Sequence, residues 1–221
     1  MTEKLHPPFN TEAVISAFSN LAEAIKPFLH NYNVIIGDDV SGRLPTLVIA
    51  NLAGKRRRQM GLSNPSVFFI NAGASITLAG RPEITLPKIA GIISQHRSPN
   101  QNILIVTEFV GTGASLAALA NEFRRQGIIP DLCVLNSHND PALIDSLKGY
   151  RIYCGSSKNN VGSLFYKNTA LTGVKSPFTS SIAARLLLTP DGRAQVIQAR
   201  EDMKTIANEV WEKIFSDSNH P

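Results

Sequence analysis

Between residues 33 and 155, short apolar runs alternate with segments of helical periodicity, and this alternation most constrains the fold. The runs are "NVIIGDD" (33–39), "SVFFINAG" (66–73), "NILIV" (102–106), "DLCVLNS" (131–137) and "YRIYCGS" (150–156). They lack the polar–apolar alternation of a strand with one wet face. Strands of that kind are buried on both sides, as in a parallel sheet covered by helices. The intervening segments supply the helices. Residues 44–58 carry Pro45 in the first turn, 88–96 and 140–148 are short, and 114–127 closes at Gly127. The expected fold is therefore α/β, a parallel sheet with helices on both faces, in one domain over 1–221 with its core at about 33–155. Ligands bind such sheets beyond the carboxyl ends of the strands. That selects the loops 37–43, 71–87, 107–113 and 136–140.

The flanks add two helices. Val14, Phe18, Leu21 and Ile25 form one stripe in 11–26, which Pro27 ends. Val196, Ala199, Met203, Ile206, Val210 and Ile214, widened by Trp211, form another in 194–215. That second face covers either the sheet or a partner subunit, which makes a homodimer one option. Residues 74–86 read as a hairpin or loop, and 157–193 as irregular. Cys133 and Cys154 lack metal or redox spacing and read as buried thiols. No run approaches membrane-spanning length, and "MTEKLHPPFN" lacks a signal-peptide pattern, so a cytoplasmic protein is expected. The net charge is +5, and the run Lys55-Arg56-Arg57-Arg58 supplies four of those charges. Such a run either ends a solvated helix or contacts a polyanion.

The chemistry concentrates in "ILIVTEFVGTGASLAAL" (103–119). A buried strand runs into Gly111-Thr112-Gly113-Ala114-Ser115 and then into a helix. Backbone N–H groups at a helix N-terminus, together with its dipole, hold a phosphate, and glycines let the backbone approach closely. Thr112 and Ser115 add hydroxyl donors. The P-loop pattern is absent, and a dinucleotide GxGxxG starting at Gly111 would meet Leu116 at its third glycine.

Four apolar residues (103–106), Thr107-Glu108, Phe109-Val110 and the loop 111–115 resemble the signature of type I phosphoribosyltransferases. "VIIGDDVSGR" (34–43) resembles the pyrophosphate loop of that family. The resemblance covers roughly residues 33–155. It implies a transferase that binds phosphoribosyl pyrophosphate (PRPP) with magnesium, held through PRPP, and passes the phosphoribosyl group to a nitrogenous base or related acceptor, releasing pyrophosphate. It further implies that Gly111, Thr112, Gly113, Ala114 and Ser115 hold the 5′-phosphate. Thr107 and Glu108 would meet the ribose, and Asp39, Val40, Ser41, Gly42 and Arg43 the pyrophosphate. A mobile loop at 74–88 would bring Arg81 and Lys88, and His138 would contact the acceptor.

Two positions depart from the signature. The first acidic position is Thr107, and Gly111 stands where several purine-salvage members carry aspartate. These departures, with the basic run 55–58, motivate an alternative: a non-catalytic PRPP- or nucleotide-sensing regulator on the same fold, with nucleic acid as a partner.

Overall fold

A computed structural model describes residues 11–38, 42–70, 85–95, 102–157 and 190–216. Five strands build one all-parallel sheet: β1 (Val34–Asp38), β2 (Ser66–Ile70), β3 (Ile103–Val110), β4 (Asp131–Ser137) and β5 (Ile152–Cys154). Their spatial order is β2-β1-β3-β4-β5. The helices are α1 (Thr11–Ile25), α2 (Arg43–Gln59), α3 (Thr85–Gln95), α4 (Ala114–Arg125) and α5 (Pro190–Phe215). The parallel α/β architecture expected from the alternation is present.

Burial on both faces explains the unbroken apolar runs. Ile35, Leu104, Val106, Cys133 and Leu135 pack on one face with α1, α2 and α5. Val34, Ile36, Ile103, Ile105, Leu132 and Val134 pack on the other with α3 and α4. Cys133 and Cys154 fall on opposite faces, and burial raises the pKa of both thiols, so both are held protonated.

From Met203 onward the stripe of α5 is covered within the same chain. Met203, Ile206, Val210 and Trp211 join the core formed by α1 and α2. Lys26 Nζ donates to Ile214 O at 2.7 Å, tying the end of α1 to the end of α5. Lys55 Nζ donates to Asn208 Oδ1 at 2.8 Å and lies over the Trp211 ring.

Three segments depart from expectation. β3 continues four residues past Val106, because β4 pairs with it as far as Val110↔Ser137. Thr107 and Glu108 are therefore strand residues rather than loop residues. Residues 140–148 form two 3-10 turns, Pro141–Leu143 and Asp145–Leu147, instead of a short α-helix. Asp140 caps the first of them, accepting from Ala142 N at 3.0 Å. The last strand is trimmed to Ile152–Cys154. The hairpin or loop at 74–86 lies outside the described residues except for Thr85 and Leu86, which begin α3. Residues 158–189 of the irregular segment also lie outside them, and α5 begins at Pro190, earlier than its stripe suggested.

The basic run turns out to be the closing turns of α2. Arg57 points inward, only 7 % exposed. It donates to Ser63 O at 2.5 Å, His30 O at 2.7 Å and Tyr32 O at 3.1 Å. Arg56 bonds Gln59 and Arg58 bonds Asn64. The run thus locks the end of α2 onto the loops at the amino ends of the strands.

A polar cluster closes that same end of the sheet. Tyr32 Oη donates to Asp131 Oδ2 at 2.5 Å and lies 3.2 Å from Tyr153 Oη, while Arg151 flanks Asp131 at 3.6 Å. Burial, and then the bond to Asp131, raise the Tyr32 pKa far above the ordinary value near 10. A hydroxyl that stays protonated in the folded state but ionises in the unfolded chain gives stability that is full below about pH 10 and lost as pH rises above it. Tyr32→Phe is expected to cost about 1–3 kcal/mol near neutral pH, since it removes a hydrogen bond to a charged group. It should also flatten the alkaline fall in stability. Urea midpoints from pH 7 to 11 check both.

Candidate functional site

The strand order places a crevice between β1 and β3. The chain leaves β1 for one face of the sheet (α2) and β3 for the other (α4), so the two exit loops diverge. That reversal is the position at which open parallel sheets bind ligands. A cleft of about 180 Å³ lies there, lined by Asp38, Thr107, Phe109 and the continuous stretch Val110 to Leu116.

The β3–α4 loop presents backbone N–H groups to the cleft. Gly113 has φ +74°, a left-handed conformation that suits glycine, and precedes the first turn of α4. Intrahelical bonding begins with Ala117 N to Gly113 O at 2.8 Å, which leaves the N–H groups of the first turn at the cleft. Thr112 Oγ1 lies 3.5 Å from Ala114 N. The second 3-10 turn braces the loop from behind. Ser146 Oγ donates to Thr112 O at 3.2 Å, and a Cβ on Gly113 would come within 3.0–3.1 Å of Ile144, Ser146 and Leu147. All five residues expected at the phosphate, Gly111 to Ser115, line the cleft.

Asp38 lines the cleft from the end of β1, just before the β1–α2 turn. Gly42 N donates to Asp38 O at 2.6 Å, and Thr46 N to Gly42 O at 2.9 Å. Gly42 sits against the Val106 carbonyl with no space for a Cβ. Of the residues expected at the pyrophosphate, Asp39, Val40 and Ser41 lie outside the described residues. Arg43 does not line this cleft. Its guanidinium lies over the Phe69 ring, 4.4 Å from the centroid, in a neighbouring cavity.

The pair Thr107-Glu108 is split by the strand. Thr107 shares the parity of Ile103 and Ile105 and lines the cleft. Glu108 shares the parity of Leu104 and Val106, is fully buried, and does not line it. Strand alternation alone separates them, since neighbours point to opposite faces. Sequence reading passed over Asp38. It is the one carboxylate among the described residues of the cleft lining, and its place as the last residue of β1 was the available signal.

His138 is exposed just after β4, with its ring edge-on to Phe109 at 4.8 Å between centroids. The pairing Phe109↔Asn136 brings them together. They form an aromatic corner at the rim. Arg81 lies outside the described residues, and Lys88 lies in α3, its side chain outside the described set.

Among the described residues no cluster of three His, Cys, Asp or Glu could hold a metal. Asp38 is the one carboxylate among the described residues that line the cleft. That donor set fits magnesium, which is commonly held by one or two carboxylates together with substrate phosphates. No described helix is long and apolar enough to cross a membrane. The chain matches no protein-family model, no curated protein and no solved structure.

Proposed function

We propose that the chain is a phosphoribosyltransferase-like enzyme that binds PRPP with magnesium and transfers the phosphoribosyl group to a nitrogenous acceptor. One observation carries this reading. Asp38, within the stretch that resembles the family's pyrophosphate loop, and Gly111 to Ser115, within the stretch that resembles its phosphate loop, line a single cleft at the β1/β3 reversal.

In this reading the first turn of α4, with Thr112 and Ser115, holds the 5′-phosphate. Thr107 hydrogen-bonds a ribose hydroxyl. Asp38 meets the metal–pyrophosphate end. Magnesium, when bound, neutralises charge on the departing pyrophosphate. As the bond from C1 to the pyrophosphate oxygen breaks, the acceptor nitrogen bonds to C1. The chain's own task is to hold both reactants in line. The Phe109–His138 corner offers a flat wall for an aromatic acceptor.

Calorimetry with PRPP and magnesium tests the binding half. Thr112→Ala and Ser115→Ala are each expected to weaken PRPP binding about tenfold, the loss of one hydrogen bond to a charged group. Unchanged affinity in both would remove the phosphate assignment. Glu108→Gln separates two roles for the buried carboxylate. A loss of PRPP affinity at unchanged thermal stability would mean that it reaches the ligand on binding, whereas a loss of stability alone would make it a core residue.

A second reading, a non-catalytic sensor of PRPP or a nucleotide, is favoured by the uncharged Thr107 at the cleft and by Glu108 lying away from it. Pyrophosphate release across a panel of purine, pyrimidine and pyridine acceptors decides between them. Tight PRPP binding with no release for any acceptor supports the sensor.

A further inference from the structure

A second cavity, of about 340 Å³, lies between α2, β2 and α5. Its size falls within the span of small-molecule sites, roughly 300–1,000 Å³. Leu47, Phe69 and Met203 give it apolar walls, and Arg43, Arg200 and Lys204 line it with three cations. No carboxylate is among its described lining residues. Glu201 pairs with Lys204 at 2.6 Å at the exposed surface, which reduces the positive field without cancelling it. The remaining lining residue is Asn51. Its Oδ1 is buried and has no hydrogen-bond partner. A buried acceptor without a donor is costly, and it marks a place for a ligand N–H.

These features specify a ligand with an anionic group, a flat apolar body and a hydrogen-bond donor on that body. The Phe69 ring, covered on one side by Arg43, gives the cavity a flat apolar wall. We propose that this cavity binds a nucleoside phosphate, with its base between Phe69, Leu47 and Met203, a base N–H donating to Asn51 Oδ1, and its phosphate at Arg200 and Lys204. The site is distinct from the β1/β3 cleft, and among the described residues the two share no lining. It stands whether or not the cleft binds PRPP.

Calorimetry on the full chain with AMP, GMP and UMP tests it, with adenosine and inorganic phosphate as partial ligands. At least one mononucleotide is expected to bind one-to-one, and about tenfold or more tighter than either partial ligand. Arg200→Glu with Lys204→Glu should weaken that binding about tenfold or more. Both positions are exposed on α5, so the fold should tolerate them, and Arg200→Gln with Lys204→Gln gives a milder check. Thr112→Ala with Ser115→Ala should leave nucleotide affinity within about twofold, while weakening PRPP if the cleft holds it. The proposal is overturned if no mononucleotide binds, or if charge reversal leaves the affinity unchanged. Loss of nucleotide binding in the cleft variant would also overturn it, by placing the nucleotide at the β3–α4 loop. Binding of oligonucleotides alone, with none of mononucleotides, would overturn it in favour of a strand-binding surface.

Discussion

Arg57→Ala is expected to lower the stability of the folded chain by roughly 3 kcal/mol or more, the largest effect of any substitution in the basic run. The guanidinium satisfies three backbone carbonyls, those of Ser63, His30 and Tyr32. Each carbonyl left without its donor costs about 1–3 kcal/mol where water cannot reach it. Lysine should restore only part of the loss, because a single ammonium cannot reproduce the fork of the guanidinium. Arg58→Ala, at an exposed pair with Asn64, should stay within about 0.5 kcal/mol. Urea denaturation with an unchanged slope measures all three. A small effect at Arg57 would mean that the run is a solvated face after all, and would restore it as a candidate polyanion contact.

Gly42→Val is expected to damage stability and ligand binding together. A Cβ at this position would meet Asp38 N at 2.6 Å and Asp38 O at 2.9 Å, besides the Val106 carbonyl. These are backbone atoms, so no side chain can swing away to make room. The φ of −84° is open to any residue, so the penalty is purely one of space. Overpacking of this kind costs about 1–3 kcal/mol. Because relief requires β1 and β3 to part at the cleft, PRPP affinity should fall by more than about tenfold even under conditions where the variant remains folded. Thermal unfolding and calorimetry on the same sample separate the two losses. Full PRPP affinity in a folded Gly42→Val protein would show that the β1–α2 turn takes no part in binding.

Much of the secondary structure was legible because it follows from local chemistry. The stripe Val14, Phe18, Leu21 and Ile25 needs only helical periodicity to declare α1. Gly127, at φ +81°, closes the α4 segment as a glycine past a helix end is expected to. The misreadings have a different origin. Thr107 and Glu108 look like the polar end of a strand, yet pairing with β4 carries β3 on to Val110. Residues 140–148 have helical composition, but Pro141 and the brace that Ser146 makes to Thr112 hold them as two separate turns. In each case a contact with a distant segment prevailed over local preference.

The candidate site divides the same way. The loop 111–115 was visible as a run of small residues between a buried strand and a helix, because the proposed phosphate role rests on its own backbone and hydroxyls. Asp38 was not singled out, because its place at the cleft depends on where β1 ends and on which face its last residue presents. Arg43 belongs to a different cavity, a fact set by the position of Phe69 on β2.

By itself the sequence determined the parallel α/β class, most of its helices and strands, and the small-residue loop that joins β3 to α4. These follow from periodicity, glycine conformation and burial on both strand faces, which act within a few residues. The tertiary structure decided the order β2-β1-β3-β4-β5, and with it which two loops share a cleft. It decided that Thr107 rather than Glu108 lines that cleft, that Arg57 is a buried clamp, and that α5 closes the core against α1 and α2. Those outcomes depend on pairings between segments tens of residues apart, whose free energy no local window of the chain contains.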